Sequence, residues 1–291
     1  MVTLKPGKEN SHALMLMVAA AVLWSLGGIL IKSIDAHPLA IAGVRSAIAA
    51  VLIFAFVKKP KFTFSFAQIA AAICYSLTVF LFVSANKTTT AANAILLQFT
   101  SPVYVALLGS WILKERARGL DWLIIVMVFL GMALFFFDKL SPEGLFGNVL
   151  AILSGVTFAL FTIFMRKQKD GSSIESVLMG NILTAVIGIP FLAKGVPDAS
   201  GWMFLTLSGV VQLGTPYILF SIAIKHITAL ESILTSTIEP ILSPIWVLIF
   251  LGEVPGPWAL AGGVVVLGSV ISRHFIMQAQ AKKKSEFANN I

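Results

Sequence analysis

The chain is 291 residues long, 58% hydrophobic and only 12% charged, with a formal net charge of +8, and its mean hydropathy is +0.93. Soluble domains carry about 45–50% apolar residues, so this composition excludes a soluble globular domain and defines an integral membrane protein. One cysteine, Cys74, excludes an intrachain disulfide, and the basic balance is accounted for by its placement along the chain, which leaves no case for a nucleic-acid partner.

Runs of the roughly 20 apolar residues that cross a hydrocarbon core of about 30 Å recur ten times, at 12–31, 38–57, 66–86, 91–113, 119–137, 146–165, 174–193, 202–222, 229–251 and 257–276. The first follows a basic N-terminus. Its apolar stretch exceeds the 7–15 or so residues of a signal-peptide core and runs through Trp24 into Gly27-Gly28 without a small-x-small cleavage site, so it reads as a retained helix. The second span carries Arg45 about seven residues in from one end, or roughly 10 Å at 1.5 Å per residue. From that depth the side chain either snorkels back to the interface or serves a cavity or an ion pair.

The third span places Tyr75, Thr78 and Phe82 along one stripe, and the fourth carries Asn93, Gln98 and Ser101 ahead of Pro102. The sixth contributes Phe158 and Phe161, and the eighth a stripe of Ser208, Gln212 and Thr215. The ninth has Glu231, Thr235 and Glu239 at i, i+4 spacing, which puts them on one face of a continuous helix. Any one such stripe more often glues helices together than binds a solute; four of them favour a central cavity. Trp24 and Trp246 lie deep enough to line it, whereas Trp111, Trp122, Trp202 and Trp258 sit near span ends, where indoles form the interfacial belt.

Charged side chains near the bilayer centre cost roughly 2.5–3.5 kcal/mol on insertion scales, and the acids of this chain avoid that cost, with Glu239 the exception. Glu239 precedes Pro240, which removes a backbone donor and loosens the helix ahead of it. Two readings compete. Glu239 faces an aqueous cavity and binds a substrate amine or a proton, or it is a buried, protonated acid bonded to a neighbouring helix.

Sixteen of the 21 basic residues fall in the N-terminus, the even-numbered loops and the C-terminal tail; only Lys32, Lys87, Lys139 and Lys194 fall on the other side. Positive charge stays on the cytoplasmic face, so both termini are expected there. The four histidines lie at or near span ends and do not cluster, leaving no ligand set for a metal, and no cofactor is indicated. The chain has neither a Gly-x-x-x-x-Gly-Lys-Ser/Thr loop for an ATP-driven pump nor a Gly-x-Ser-x-Gly elbow, and no intramembrane histidine or aspartate could activate a serine, so an enzyme is not expected.

One segment occurs twice. At a constant offset of 138, Ala85/Ala223, Lys87/Lys225, Thr90/Thr228, Ala91/Ala229, Ile95/Ile233, Leu96/Leu234, Pro102/Pro240 and Glu115/Glu253 coincide. Five spans in each half make the second half enter the membrane from the opposite side, the mark of an inverted repeat. The domains expected are residues 1–140, 141–277 and a basic cytoplasmic tail, 278–291, which either touches anionic headgroups or is a solvated, disordered end. Spans 5 and 10, rich in glycine and aliphatics, look like close-packing supports.

The stretches Ala91–Glu115 and Ala229–Glu253, with Glu239-Pro240, the terminal Leu-Gly-Glu at 251–253, Trp24-Ser25 followed by Lys32, and Arg45, resemble the EamA-type transporters of the drug/metabolite transporter superfamily. The first copy departs from the pattern at Lys114-Glu115, where the second has Gly-Glu. The resemblance implies two inverted five-helix bundles, spans 1–4 and 6–9 around a cavity and spans 5 and 10 outside it, and family members that are similar export amino acids or carry other small metabolites. The expectation is a secondary transporter in the cell membrane, with export of an amino acid or related compound favoured and with Trp24, Tyr75, Thr78, Asn93, Gln98, Phe158, Gln212, Glu239 and Trp246 at the substrate. The alternatives are a proton-coupled uptake carrier for a cationic metabolite and a non-transporting scaffold or lipid-binding protein. With Arg45 the one deep cation, a phosphorylated substrate would lack its usual clamp.

Overall fold

The computed structural model describes residues 8–139, 144–171, 173–251 and 257–289, and all regular structure among them is helical. In chain order the α-helices are α1 (Lys8–Trp24), α2 (Gly27–Lys32), α3 (Pro38–Val57), α4 (Phe66–Thr88), α5 (Ala91–Gln98), α6 (Ser101–Ile112), α7 (Gly119–Lys139), α8 (Leu145–Lys167), α9 (Ser173–Gly188), α10 (Ala199–Leu207), α11 (Thr215–Ala223), α12 (Ala229–Ser236), α13 (Ile238–Leu251) and α14 (Pro257–Asn289). A 3₁₀ turn (Ile189–Lys194) prolongs α9, and a π-helical turn (Ser208–Gly214) joins α10 to α11. The Gly252-Glu253 part of the repeated motif and the expected boundary at 140–141 lie outside the described residues.

Among the described residues seven helical segments are long and apolar enough to cross a membrane: Asn10–Lys32, Pro38–Val57, Phe66–Thr88, Asn93–Ile112, Leu145–Lys167, Ser173–Lys194 and Ala199–Ala223; Gly119–Leu134 and Leu260–Arg273 are shorter apolar stretches. The segment 229–251 is divided at Thr237 into α12 and α13, neither of span length alone. At its far end α14 continues helically to Asn289, so a disordered tail is replaced by helix through most of residues 278–291.

Most interruptions fall where the sequence supplies a hydroxyl to bond the backbone groups that a break frees. Ser25 Oγ donates to Val22 O (2.6 Å) where α1 ends, Thr100 Oγ1 to Leu97 O (2.8 Å) between α5 and α6, Thr237 Oγ1 to Leu234 O (2.7 Å) between α12 and α13, and Thr215 Oγ1 to Val210 O (2.8 Å) in the π-turn. Pro102 sits in the first turn of α6, where a missing N–H costs nothing. The helix starts at Thr90 and Thr228 match in geometry as well as in sequence: each threonine caps its helix by accepting the N–H three residues on, from Asn93 and Glu231 respectively.

Glycines set the closest helix crossings. At the α3–α9 contact a Cβ on Gly43 would lie 2.5 Å from the carbonyl carbon of Gly188, and one on Gly188 2.6 Å from Gly43 Cα, so the two backbones touch as small residues allow. α7 and α14 pack on each other, and a Cβ on Gly131 would meet Gly262 O at 2.9 Å. By contrast, Gly268, which the sequence marks for close packing, has nothing within 4 Å of its would-be Cβ. Gly43→Val is therefore expected to destabilise the protein by about 1–3 kcal/mol through overpacking, seen as a lower thermal unfolding midpoint in detergent. Gly268→Ala, which removes an exposed helix glycine, should leave the midpoint unchanged or slightly raised.

Candidate functional site

The breaks in α1–α2, α5–α6 and α12–α13 and the π-turn bring polar residues to one internal cavity. It is lined by Trp24, Arg45, Thr78, Val79, Phe82, Val83, Gln98, Phe158, Gln212, Leu213, Tyr217 and Glu239. The space open to the centre of a water-sized sphere is about 30 Å³, enough for roughly two waters. Among the described residues none of its walls comes from α7 or α14.

Arg45 dominates the polar wall. It is 1% exposed, so the snorkelling option is set aside: α3 holds the guanidinium inside the bundle. Its Nη2 donates to Gln212 Oε1 at 2.6 Å, while Nε and Nη1, equally buried, have no hydrogen-bond partner among the described residues. The Gln212 amide donates in turn to Trp24 O at 3.4 Å, the carbonyl at the break between α1 and α2. Gln212 belongs to the π-turn, a geometry that recurs at functional sites. Its seat is tight, since a Cβ on Gly27 would fall 2.7 Å from Gln212 Nε2.

Glu239 lies across the cavity lining, 6% exposed, and among the described residues it makes neither a hydrogen bond nor an ion pair. Gln98 Nε2 donates to Ser154 Oγ (2.7 Å), and Thr78 Oγ1 to Thr157 Oγ1 (2.9 Å). The apolar wall is aromatic: the Trp24 ring packs edge-on against Phe158 (6.0 Å between centroids) and Tyr217 (5.0 Å).

Of the residues singled out from sequence, Trp24, Thr78, Gln98, Phe158, Gln212 and Glu239 come together here. Tyr75 stands one layer behind, its ring 4.8 Å from Tyr217 and its hydroxyl donating to Asn181 Oδ1 at 2.9 Å. Asn93 lies at the α4–α5 turn, its amide 3.4 Å from Thr89 Oγ1. Trp246 donates to Ser25 Oγ at 2.6 Å and braces the α1–α2 break. Glu231 is not on the face of Glu239, because the break at Thr237 resets the register; it completes a capping box with Thr228 and lies 3.8 Å from Arg273. Arg45, Tyr217 and the apolar Val79, Phe82, Val83 and Leu213 line the cavity without having been chosen from sequence. The signal for Arg45 was its depth; Tyr217 carried none that set it apart from packing aromatics. Among the described residues no three His, Cys, Asp or Glu side chains come together as metal ligands.

Polar ties close the bundle at both ends. At one end Lys32 Nζ donates to Thr89 O (2.8 Å) and Lys87 Nζ to Ile34 O. At the other, Arg166 reaches Glu115 Oε1 (2.8 Å), Ile224 O (3.0 Å) and Lys225 O (2.8 Å), and Arg273 pairs with Asp121 at 2.8 Å.

Long apolar helices whose interruptions meet at a buried polar cavity define a polytopic membrane protein of the transporter class. The profile of the EamA-like transporter family matches this chain twice, over residues 11–137 and 145–272, and the chain belongs to that family. Among its relatives, an uncharacterized transporter of Archaeoglobus fulgidus is 25% identical over 263 residues, 88% of this chain and 93% of that protein. The threonine/homoserine exporter RhtA of Salmonella typhimurium is 27% identical over 252 residues, 82% of this chain and 83% of the relative, and RhtA of Escherichia coli K12 is 25% identical over 254 residues, 84% and 83%. A crystal structure superposes with a TM-score of 0.75 at 18% identity, covering 93% of this chain and 99% of that one, which shows a shared fold.

The tight seat of Gln212 gives a direct test. Gly27→Ala should push the amide off Trp24 O and loosen its hold on Arg45. The expected result is several-fold weaker solute binding with a thermal midpoint within a few degrees of wild type, both measurable in detergent.

Proposed function

We propose that this chain is a secondary transporter that exports an amino acid or a related small metabolite across the cell membrane by alternating access, with both termini cytoplasmic. The observation that carries the proposal is the convergence of Arg45, Gln98, Gln212 and Glu239 on one cavity walled by Trp24, Phe158 and Tyr217. Arg45, with one neutral partner, and Glu239 are both buried around one space; burying ionisable groups without an ion pair is costly, and a scaffold would have no use for it. Kinship with RhtA, named for threonine and homoserine export, supports the amino-acid reading.

The architecture proposed is ten spans in two inverted five-helix repeats that rock about the cavity. Three observations support it: the two separate family matches, the paired breaks at 99–100 and 237, and matched contacts. Trp24 and Phe158, 134 residues apart, meet at the cavity. Lys32 and Arg166, also 134 apart, tie the turns at 89 and 224–225 at opposite ends. Breaking one tie while the other holds is the alternation such a carrier needs. An unpartnered Glu239 also suits proton-coupled uptake of a cation, but Arg45 in the same cavity opposes a net positive charge.

In proteoliposomes, labelled amino acids such as threonine should be transported and phosphorylated sugars should be neither transported nor competitive. Failure of every amino acid tested would remove the substrate assignment. Glu239→Gln keeps the shape and hydrogen bonding of the acid; expressed normally, it should lower transport at least about tenfold if the carboxylate serves substrate or proton. Wild-type transport with unchanged pH dependence would give Glu239 a structural place only.

The orientation rests on the charge count. With Cys74 replaced, a cysteine at Lys59 should resist a membrane-impermeant maleimide in intact cells while one at Asp35 reacts; external labelling at 59 would reverse the topology.

A further inference from the structure

Arg45 poses a chemical question that packing does not answer. Its guanidinium offers five N–H donors in a planar fork suited to two parallel bonds with a carboxylate. It makes one bond, to the neutral oxygen of Gln212 at 2.6 Å, and its Nε and Nη1 are buried and unpartnered. The carboxylate that shares the cavity, Glu239, is not paired with it.

A comparison within the molecule shows that joining the helices does not require this cation. Arg45 to Gln212 links α3 to the π-turn; Tyr75 to Asn181 links α4 to α9. Asn181 follows Arg45 by 136 residues and Gln212 follows Tyr75 by 137, so the two ties occupy matched places. In the second tie both groups are neutral: Tyr75 donates to Asn181 Oδ1 at 2.9 Å and Asn181 Nδ2 to Val177 O at 2.9 Å. The first tie carries a charge that its neutral partner, Gln212, leaves unbalanced.

We propose that Arg45 anchors the carboxylate of a zwitterionic substrate, and that Gln212 Oε1 holds the carboxylate's place until substrate arrives. This rests on the transport reading above and specifies its substrate as a monocarboxylate that also carries an ammonium group. The carboxylate takes the Nη2 position vacated by Gln212 together with a free N–H of the fork, and the ammonium faces Glu239. A dicarboxylate or a phosphomonoester would present its extra negative charge to Glu239 and is selected against. Displacement of Gln212 also releases its bond to Trp24 O, so binding is felt at the α1–α2 break. The cavity, with space for roughly two waters, widens as this happens.

The test uses the full-length protein in detergent, with the twenty protein amino acids and their α-carboxamides as probes in a thermal-shift titration, followed by transport in proteoliposomes. At least one amino acid should bind wild type ten-fold or more tightly than its carboxamide. Gln212→Glu supplies Arg45 with a resident carboxylate: without ligand it should melt at or above the wild-type temperature, and its affinity for that amino acid should fall at least ten-fold. Arg45→Gln, if folded, should bind acid and carboxamide alike; Arg45→Lys, a fallback that keeps the charge but not the fork, should lose part of the discrimination. If wild type binds acid and carboxamide equally, or Gln212→Glu binds the amino acid as wild type does, Arg45 is not the anchor while the transport reading stands. If wild type neither binds nor transports any solute tested, both fall; if another class of solute is transported instead, the anchor and the amino-acid assignment are overturned while the transport reading stands.

Discussion

Inside a bilayer every backbone N–H and C=O must find a partner within the protein, because an unsatisfied group in hydrocarbon costs several kcal/mol. That constraint organises this molecule. Its helices can break only where protein or a lined cavity receives the freed groups, so the interruptions at Ser25–Leu26, Phe99–Thr100, Ser208–Gly214 and Thr237 all lie around the interior. Hydroxyls of Ser25, Thr100, Thr215 and Thr237 satisfy carbonyls beside them, and Trp24 O is met by a side chain from another helix. The site is a consequence of where the backbone is permitted to be irregular.

Charge is distributed unevenly over this frame. Positions that match across the two halves carry Arg45 against Asn181 and Ser101 against Glu239. One half thus brings a guanidinium to the cavity and the other a carboxyl group, while Asn181, the counterpart of Arg45, ties α9 to α4 through Tyr75.

The ties at the two ends differ in strength as well as position. Lys32 and Lys87 donate to carbonyls, whereas Arg166 combines a carboxylate with two carbonyls and Arg273 pairs with Asp121. Charge-assisted bonds to carboxylates are the stronger kind, and Arg166 and Arg273 are both buried. The end that carries the arginines is therefore held by the stronger bonds in this conformation.

The sequence by itself determined the class and much of the frame. Apolar run length gave seven of the membrane segments at full span length among the described residues, Pro240 marked a helix that divides just ahead of it, and the repeated stretch matched Thr90 with Thr228 as helix caps. It also pointed to six of the cavity residues, through four polar side chains at membrane depth on separate spans and two deep aromatics, Trp24 and Phe158. Direction was what it could not give. Arg45 sits at a depth from which a flexible side chain reaches either the interface or the interior, and only the π-turn that presents Gln212 decides between them. The i, i+4 spacing of Glu231, Thr235 and Glu239 promised a shared face, but spacing specifies a face only along an unbroken helix, and the break at Thr237 sends Glu231 towards Arg273 and leaves Glu239 in the cavity. Which side chains meet depends on helix crossings such as Gly43 on Gly188, contacts between residues far apart in the chain that no local pattern encodes.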